Sequence, residues 1–179
     1  MNMSTSYALT NPLSVLLDKP REQFTRADLL KIIESQKIER IVFHYTALDG
    51  KYKELKIPVA SRLQAERVLA DGERVDGSSL FKGMVDTAVS DLYVVPVYKS
   101  AFLNPFVDGS LDFTCRYLTR DGVLASFAPD TILHNAAALF RKSTGMELQA
   151  LGELEFFLLF DHETPLFVLG RRSAAPGAG

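Results

Sequence analysis

The run Gly152-Glu153-Leu154-Glu155-Phe156-Phe157-Leu158-Leu159-Phe160 constrains this chain more than any other stretch. It is short, apolar and rich in phenylalanine, and after Glu155 it has no regular polar alternation, the pattern of a buried strand. Glu153 and Glu155 stand two positions apart, so on a strand their carboxylates leave one face, roughly 6–7 Å apart at the backbone. Like charges beside so much apolar surface are costly unless something cationic compensates them. A divalent metal held by oxygen ligands is one physical answer. A half-exposed edge strand whose glutamates face water is the other. Two carboxylates do not make a metal cage, so the rest of the chain has to decide.

At 179 residues the length suits one domain, or one small domain with a piece of another. A 47% hydrophobic and 23% charged composition is that of a soluble globular protein with room for a sizeable core. The formal net charge of -2 argues against general nucleic-acid binding, which wants clustered Lys and Arg. A single cysteine, Cys115, excludes an intramolecular disulfide and fits a reducing compartment. No run approaches the ~18–20 apolar residues of a membrane span. Met1 to Ser6 has no basic region leading into an apolar core, so no secretory signal is visible and a cytoplasmic location without a membrane partner is expected.

Residues 1–24 read as a flexible arm in which Val15 to Leu17 could dock as one helical turn. Thr25 with Asp28 has the capping-box pattern, and Leu29, Ile32 and Ile33 give an apolar helix face ending near Gln36. Glu39 to Thr46 favours a strand, Asp49-Gly50 a tight turn, and Tyr52 to Ile57 a returning strand stopped by Pro58. Ser61 caps a second helix carrying Leu63, Val68 and Leu69, closed by Asp71-Gly72. Val75-Asp76-Gly77-Ser78-Ser79 reads as a strand end entering a glycine turn whose hydroxyls expose backbone N–H groups, and Leu80 to Ser90 as a long loop. Strands follow at Asp91 to Pro96 and Leu111 to Leu118, with a short Ala101-Phe102-Leu103 segment between them and a turn at Asp121-Gly122. Pro129 and Asp130 open a helix running to about Ser143, with Ile132, Leu133, Ala136, Ala137, Leu139 and Phe140 as its apolar stripe and Gly145 at its end. The layout is α+β, a mixed sheet with helices on one side. His44 is expected to be packed or at the surface, His134 solvated, and Cys115 a buried thiol rather than a nucleophile.

Taken together, the Asp76-Gly77-Ser78-Ser79 loop, Ser90-Asp91-Leu92 with Pro96, and Glu153-Leu154-Glu155-Phe156-Phe157 about 75 residues after the loop resemble the N-terminal part of the glutamine synthetase family. The resemblance runs over about residues 25 to 168. It implies a β-grasp-like domain at 25–120, a truncated start of the catalytic domain at 121–168 (its first strands and helix), and a disordered tail at 169–179. It further implies an ATP-dependent ligase that joins ammonia to glutamate through γ-glutamyl phosphate. Glu153 and Glu155 match metal ligands of two neighbouring Mg2+ or Mn2+ sites. Asp76 matches the catalytic aspartate that binds ammonium and removes its proton, and Ser79 a serine lining the same ammonium site. In the family this loop serves the active site of an adjacent subunit, so a ring-type homo-oligomer is expected.

Several positions depart from the family pattern. Val97 follows Pro96 where many members have aspartate, the helix start Ala128-Pro129-Asp130 lacks an arginine, and Gly152 sits one position nearer the glutamates. The loop from Asp76 to Asp91 looks slightly long. These differences leave the acceptor open, since relatives of the family amidate glutamate with amines other than ammonia, and a γ-glutamyl-amine (polyamine-type) ligase is an alternative. The remaining family ligands for metal, ATP and glutamate are not among these residues, so the chain is expected to be an incomplete fragment, inactive alone. A non-catalytic β-grasp interaction or regulatory module is the other alternative.

Overall fold

The computed structural model describes residues 10–86 and 90–158. The chain divides into two compact units, Met1–Glu147 and Leu148–Gly179, and among the described residues regular secondary structure is confined to the first. Among the described residues five α-helices are formed there: α1 (Pro12–Leu17), α2 (Arg26–Ser35), α3 (Arg62–Asp71), the single turn α4 (Gly77–Leu80) and α5 (Pro129–Thr144). Six strands accompany them: β1 (Arg40–Thr46), β2 (Tyr52–Pro58), β3 (Glu73–Asp76), β4 (Asp91–Pro96), β5 (Phe102–Leu103) and β6 (Ser110–Thr119).

The sheet order is β2-β1-β6-β4-β3, with β5 paired to β6. Only β1 and β6 run parallel, with Ile41 opposite Leu111 and Phe43 opposite Phe113; the other pairings are antiparallel. At ten residues, β6 is long enough to serve two sets of neighbours. Its first half lies between β1 and β5, and its second half receives β4 at Leu92↔Thr119 to Pro96↔Cys115. This central strand joins the hairpin side of the sheet to the side that carries β3. The architecture is the mixed α+β arrangement expected from the sequence.

Local chemistry explains the boundaries. Thr25 and Asp28 form a complete capping box at α2, and Lys19 Nζ adds an ion pair to Asp28 at 2.7 Å. Ser61 accepts from the Gln64 amide to cap α3, whose buried residues are Ala65, Val68 and Leu69. Leu63, expected on that buried face, is exposed because the stripe turns through Ala65 instead. Gly72 ends α3 at φ +72°, and a Cβ there would run into the Val94 carbonyl oxygen, so both the dihedral and the close approach to β4 require glycine.

The core lies between the sheet and the pair α2 and α3. Leu29, Ile32, Val68 and Leu69 meet Ile41, Phe43, Leu111, Phe113 and Val94, all nearly inaccessible to solvent. Phe43 and Phe113 meet edge-on with centroids 6.0 Å apart, a favoured aromatic geometry. Phe113, Cys115 and Tyr117 share the buried face of β6, as strand alternation requires.

Two expectations are corrected. The segment from Asn11 onward is a docked element rather than a loose arm. Asn11 caps α1 and donates its side-chain amide to the Ala101 carbonyl at 2.8 Å, and the anchor is Leu13, fully buried, whereas Val15 is exposed. The stripe of α5 forms a helix of the expected extent, closed by left-handed Gly145, yet Ile132, Leu133, Leu139 and Phe140 face solvent. The apolar period specified a helix; it did not specify a cover for it. No helix among the described residues is long and apolar enough to cross a membrane.

Candidate functional site

The Asp76 loop grows out of the sheet edge. β3 pairs with β4 so that Asp76 stands opposite Asp91, a like-charge pair that would be unfavourable on its own. Arg74 offsets it, placing a guanidinium nitrogen 3.3 Å from Asp91 Oδ2. The chain then turns at Gly77, whose amide donates to the Ser90 carbonyl at 2.7 Å. A Cβ at Gly77 would meet Leu92 Cδ1 at 2.7 Å and the Ser90 carbonyl oxygen at 2.8 Å, so glycine permits the close contact that fixes the turn.

Asp76 acts as the cap of α4. Its Oδ1 accepts from the Ser78 amide at 3.0 Å and from the Ser78 hydroxyl at 2.7 Å, while the Ser79 hydroxyl donates to the Asp76 carbonyl at 2.9 Å. The Ser78 hydroxyl, then its amide, hold the Asp76 carboxyl below the usual carboxylate range. The result is an exposed, fixed and ionised carboxylate with serine hydroxyls beside it. Asp76 and Ser79, both singled out from the sequence, are brought together here.

Phe81 holds this loop to the domain, a role the sequence did not reveal. It is fully buried, meeting Tyr117 edge-on at 5.0 Å and Phe127 at 5.1 Å. The adjacent Leu80 carbonyl accepts from the Leu48 amide at 3.1 Å, tying the loop to the turn between β1 and β2. The stretch expected as one long loop from Leu80 to Ser90 is therefore anchored at its start. The turn continues with the Met84 and Val85 amides donating to the Phe81 carbonyl, and residues 87–89 lie outside the described residues.

The glutamate run differs from expectation. Residues 148–158 form no strand, and Leu151, Leu154, Phe156, Phe157 and Leu158 are exposed. Strand geometry is stable only when a neighbouring strand completes the backbone ladder, and this segment pairs with none among the described residues. Leu159 and Phe160, and the tail at 169–179, lie outside the described residues. Glu153 and Glu155 thus present two solvated carboxylates. Among the described residues no group of three or more His, Cys, Asp or Glu side chains could hold a metal ion. Two carboxylates alone do not fill the six oxygen positions of Mg2+ or Mn2+, so a metal centre at Glu153 and Glu155 requires further ligands from outside the described residues.

The other candidates are placed as follows. Cys115 is buried in the core, and burial pushes its thiol far above the usual range, which suits packing and not nucleophilic chemistry. His134 is exposed on α5. His44 is packed, and its Nε2 lies 2.7 Å from Asp112 Oδ2. That partner is 68 positions away and meets His44 only because β1 and β6 pair in parallel, so no local signal pointed to it.

Residues 37–120 match the family model described as the glutamine synthetase beta-Grasp domain. The chain is 28% identical over 138 residues to the glutamine synthetase of Haemophilus influenzae and 29% identical over 139 residues to that of Pasteurella multocida. Each alignment covers 75% of this chain but 29% of the relative, so the chain spans under a third of the length of these curated relatives. Among solved structures, the Plasmodium falciparum glutamine synthetase matches with a TM-score of 0.55 and 25% identity, over 67% of this chain and 23% of that one. Apo GmaS matches with a TM-score of 0.57 and 19% identity, over 65% of this chain and 27% of that one, a likeness of fold.

Proposed function

The chain belongs to the glutamine synthetase family, and on that premise we propose that it is the ammonium-handling part of an ATP-dependent glutamate–ammonia ligase. In this reading residues 25–120 are the β-grasp domain and 121–168 open the catalytic domain. The reaction joins ammonia, or another small amine, to the γ-carboxylate of glutamate through γ-glutamyl phosphate.

The observation that carries the proposal is the fixed, exposed carboxylate of Asp76. Its capping bonds to Ser78 keep it ionised at neutral pH, which suits holding an ammonium cation. The same bonds make it a weak base, so its contribution from this geometry is electrostatic capture and orientation of the cation. Ser79 spends its proton on the Asp76 carbonyl, leaving its hydroxyl oxygen as an acceptor for an ammonium N–H. The loop stands at the sheet edge, where an adjacent subunit of a ring could receive it.

Glu153 and Glu155 are proposed to contribute to Mg2+ or Mn2+ binding only in company with ligands beyond the described residues. The 179-residue protein is accordingly expected not to turn over by itself. The test is co-expression with a full-length glutamine synthetase subunit whose own loop aspartate has been replaced. Ammonium-dependent ADP formation restored by this chain, and not by its Asp76→Asn variant, is the expected result. Activity of the isolated chain would refute its reading as a part. Co-assembly without rescue would favour the non-catalytic module, and rescue by another amine alone would favour the γ-glutamyl-amine ligase.

A further inference from the structure

Of the 16 residues of α5 only Thr131, in its first turn, is buried. Ile132, Leu133, Leu139 and Phe140 are between 39% and 64% exposed, and Ala136 among them faces solvent as well. At 3.6 residues per turn these five positions form one stripe. Ile132 and Leu139, seven apart, make one flank, Leu133 and Phe140, seven apart, the other, and Ala136 lies midway. A helix of a few turns draws most of its stability from packing such a face, so the stripe calls for a cover.

The stripe is symmetric about Ala136. Turned end for end, it presents Leu139 to Ile132 and Phe140 to Leu133, with alanine opposite alanine, where the small side chain lets two backbones come close. That self-complementarity is what a two-fold contact between identical chains requires. Charge selects the antiparallel sense. Asp130 lies in the first turn and Arg141 and Lys142 in the last, so reversal sets the acidic end of one helix over the basic end of the other and opposes the two helix dipoles. A cavity of about 260 Å³ adds a seat beside Leu133, walled by Tyr45, Thr114, Cys115, Tyr117 and Pro129. The side chain that this register brings opposite Leu133 is Phe140 of the other helix. We propose that the occupant of the stripe is a second copy of this chain: α5 pairs with α5, antiparallel about Ala136, and each Phe140 enters the cavity beside Leu133 of the other copy. At about 24 Å long and ~10 Å wide, one helix face covers less than the ~800 Å² per partner of a standard interface. The dimer is therefore weak and exchanges with monomer. It uses no residue of the Asp76 loop, so it stands apart from the capture of ammonium.

The experiment is sedimentation velocity of the 179-residue protein over a concentration series, together with amide exchange along α5. The expected result is a monomer–dimer equilibrium in which exchange at residues 132–140 slows as the dimer forms. Phe140→Asp, at a partly exposed position, weakens association at least ~10-fold, because a carboxylate cannot enter an apolar seat unpaired. Ala138→Asp, which adds the same charge on the far side of the helix, and Asp76→Asn leave association unchanged. Oxidation links Ala136→Cys into a disulfide dimer, since the two-fold axis passes beside that position, and leaves Ala138→Cys unlinked; native Cys115 is buried and does not compete. A monomer at every concentration would overturn the proposal. So would an α5 protected from exchange in the monomer, because its own chain would then cover the stripe. Association undiminished by Phe140→Asp would overturn it as well, by placing the contact elsewhere, as on the exposed Phe156 and Phe157. Dimers lost in Phe140→Asp but never linked through Ala136→Cys would refute the antiparallel register.

Discussion

Phe81→Ala tests whether the Asp76 loop is held to the domain by a buried aromatic. The side chain is fully buried and stands edge-on to Tyr117 and Phe127, with interplanar angles of 81° and 71°. Truncating a buried phenylalanine costs about 3–5 kcal/mol, which includes the lost transfer energy and the cavity left behind. Against a total stability of about 5–15 kcal/mol that is a large fraction. At about 3 °C per kcal/mol for a domain of this size, Tm should fall by on the order of 10 °C. Phe81→Leu, which keeps most of the apolar volume, should cost roughly half as much or less. Calorimetry measures the global loss, and amide exchange at Ser78, Ser79 and Phe81 measures the local one. The Phe81 amide donates to the Gly77 carbonyl within α4, so loosening the ring should speed exchange there more than in β6. A loss below about 1 kcal/mol with unchanged exchange in the loop would refute the anchoring.

Three further outcomes follow from single residues. The Lys19 ammonium, then the Thr25 hydroxyl, hold the Asp28 carboxyl down to about 2 from its ordinary 3.8. Because the folded value is the lower one, its stabilisation of about 2 kcal/mol is present above pH ~4 and lost as pH falls toward 2. Urea unfolding of Asp28→Asn should therefore show a deficit at pH 7 that closes in acid. Gly72→Ala forces a β-carbon against the Val94 carbonyl at a left-handed dihedral and should cost more than about 1 kcal/mol by the same measurement, whereas Gly50→Ala, with open space around it, should show only the smaller dihedral penalty. Cys115 should resist a thiol reagent under native conditions and react at the unfolding-limited rate, because burial both hides the thiol and disfavours its thiolate.

What could be read from the sequence was local in its chemistry. Thr25 with Asp28, Ser61 with Gly72, and Gly145 are caps whose effect is decided within a few residues, and the helices end where those residues place them. The Asp76 turn was legible for the same reason, because its hydrogen bonds run between residues two and three apart. What stayed hidden depends on pairing across the chain. Asp112 reaches His44 only through the parallel register of β1 and β6, and Phe81 gains its role only when Tyr117 and Phe127 arrive around it. The glutamate run failed in the opposite direction. Its composition suits a buried strand, but composition cannot supply the neighbouring strand that would complete the backbone hydrogen bonds.

That contrast bears on where function resides in these residues. The Asp76 loop is built by its own hydrogen bonds and by the β-grasp core, so its carboxylate is oriented before any ligand or partner arrives. Glu153 and Glu155 have no such support among the described residues; an exposed pair of carboxylates gains a defined geometry only from further ligands and a paired sheet. Preorganisation decides which group retains its chemistry when the surroundings change, because a fixed donor set does not have to be ordered at the moment of binding. The Asp76 loop is therefore the preorganised element of this chain, and the proposed capture of ammonium for another subunit would rest on it, whereas the described residues provide no paired sheet for the glutamates.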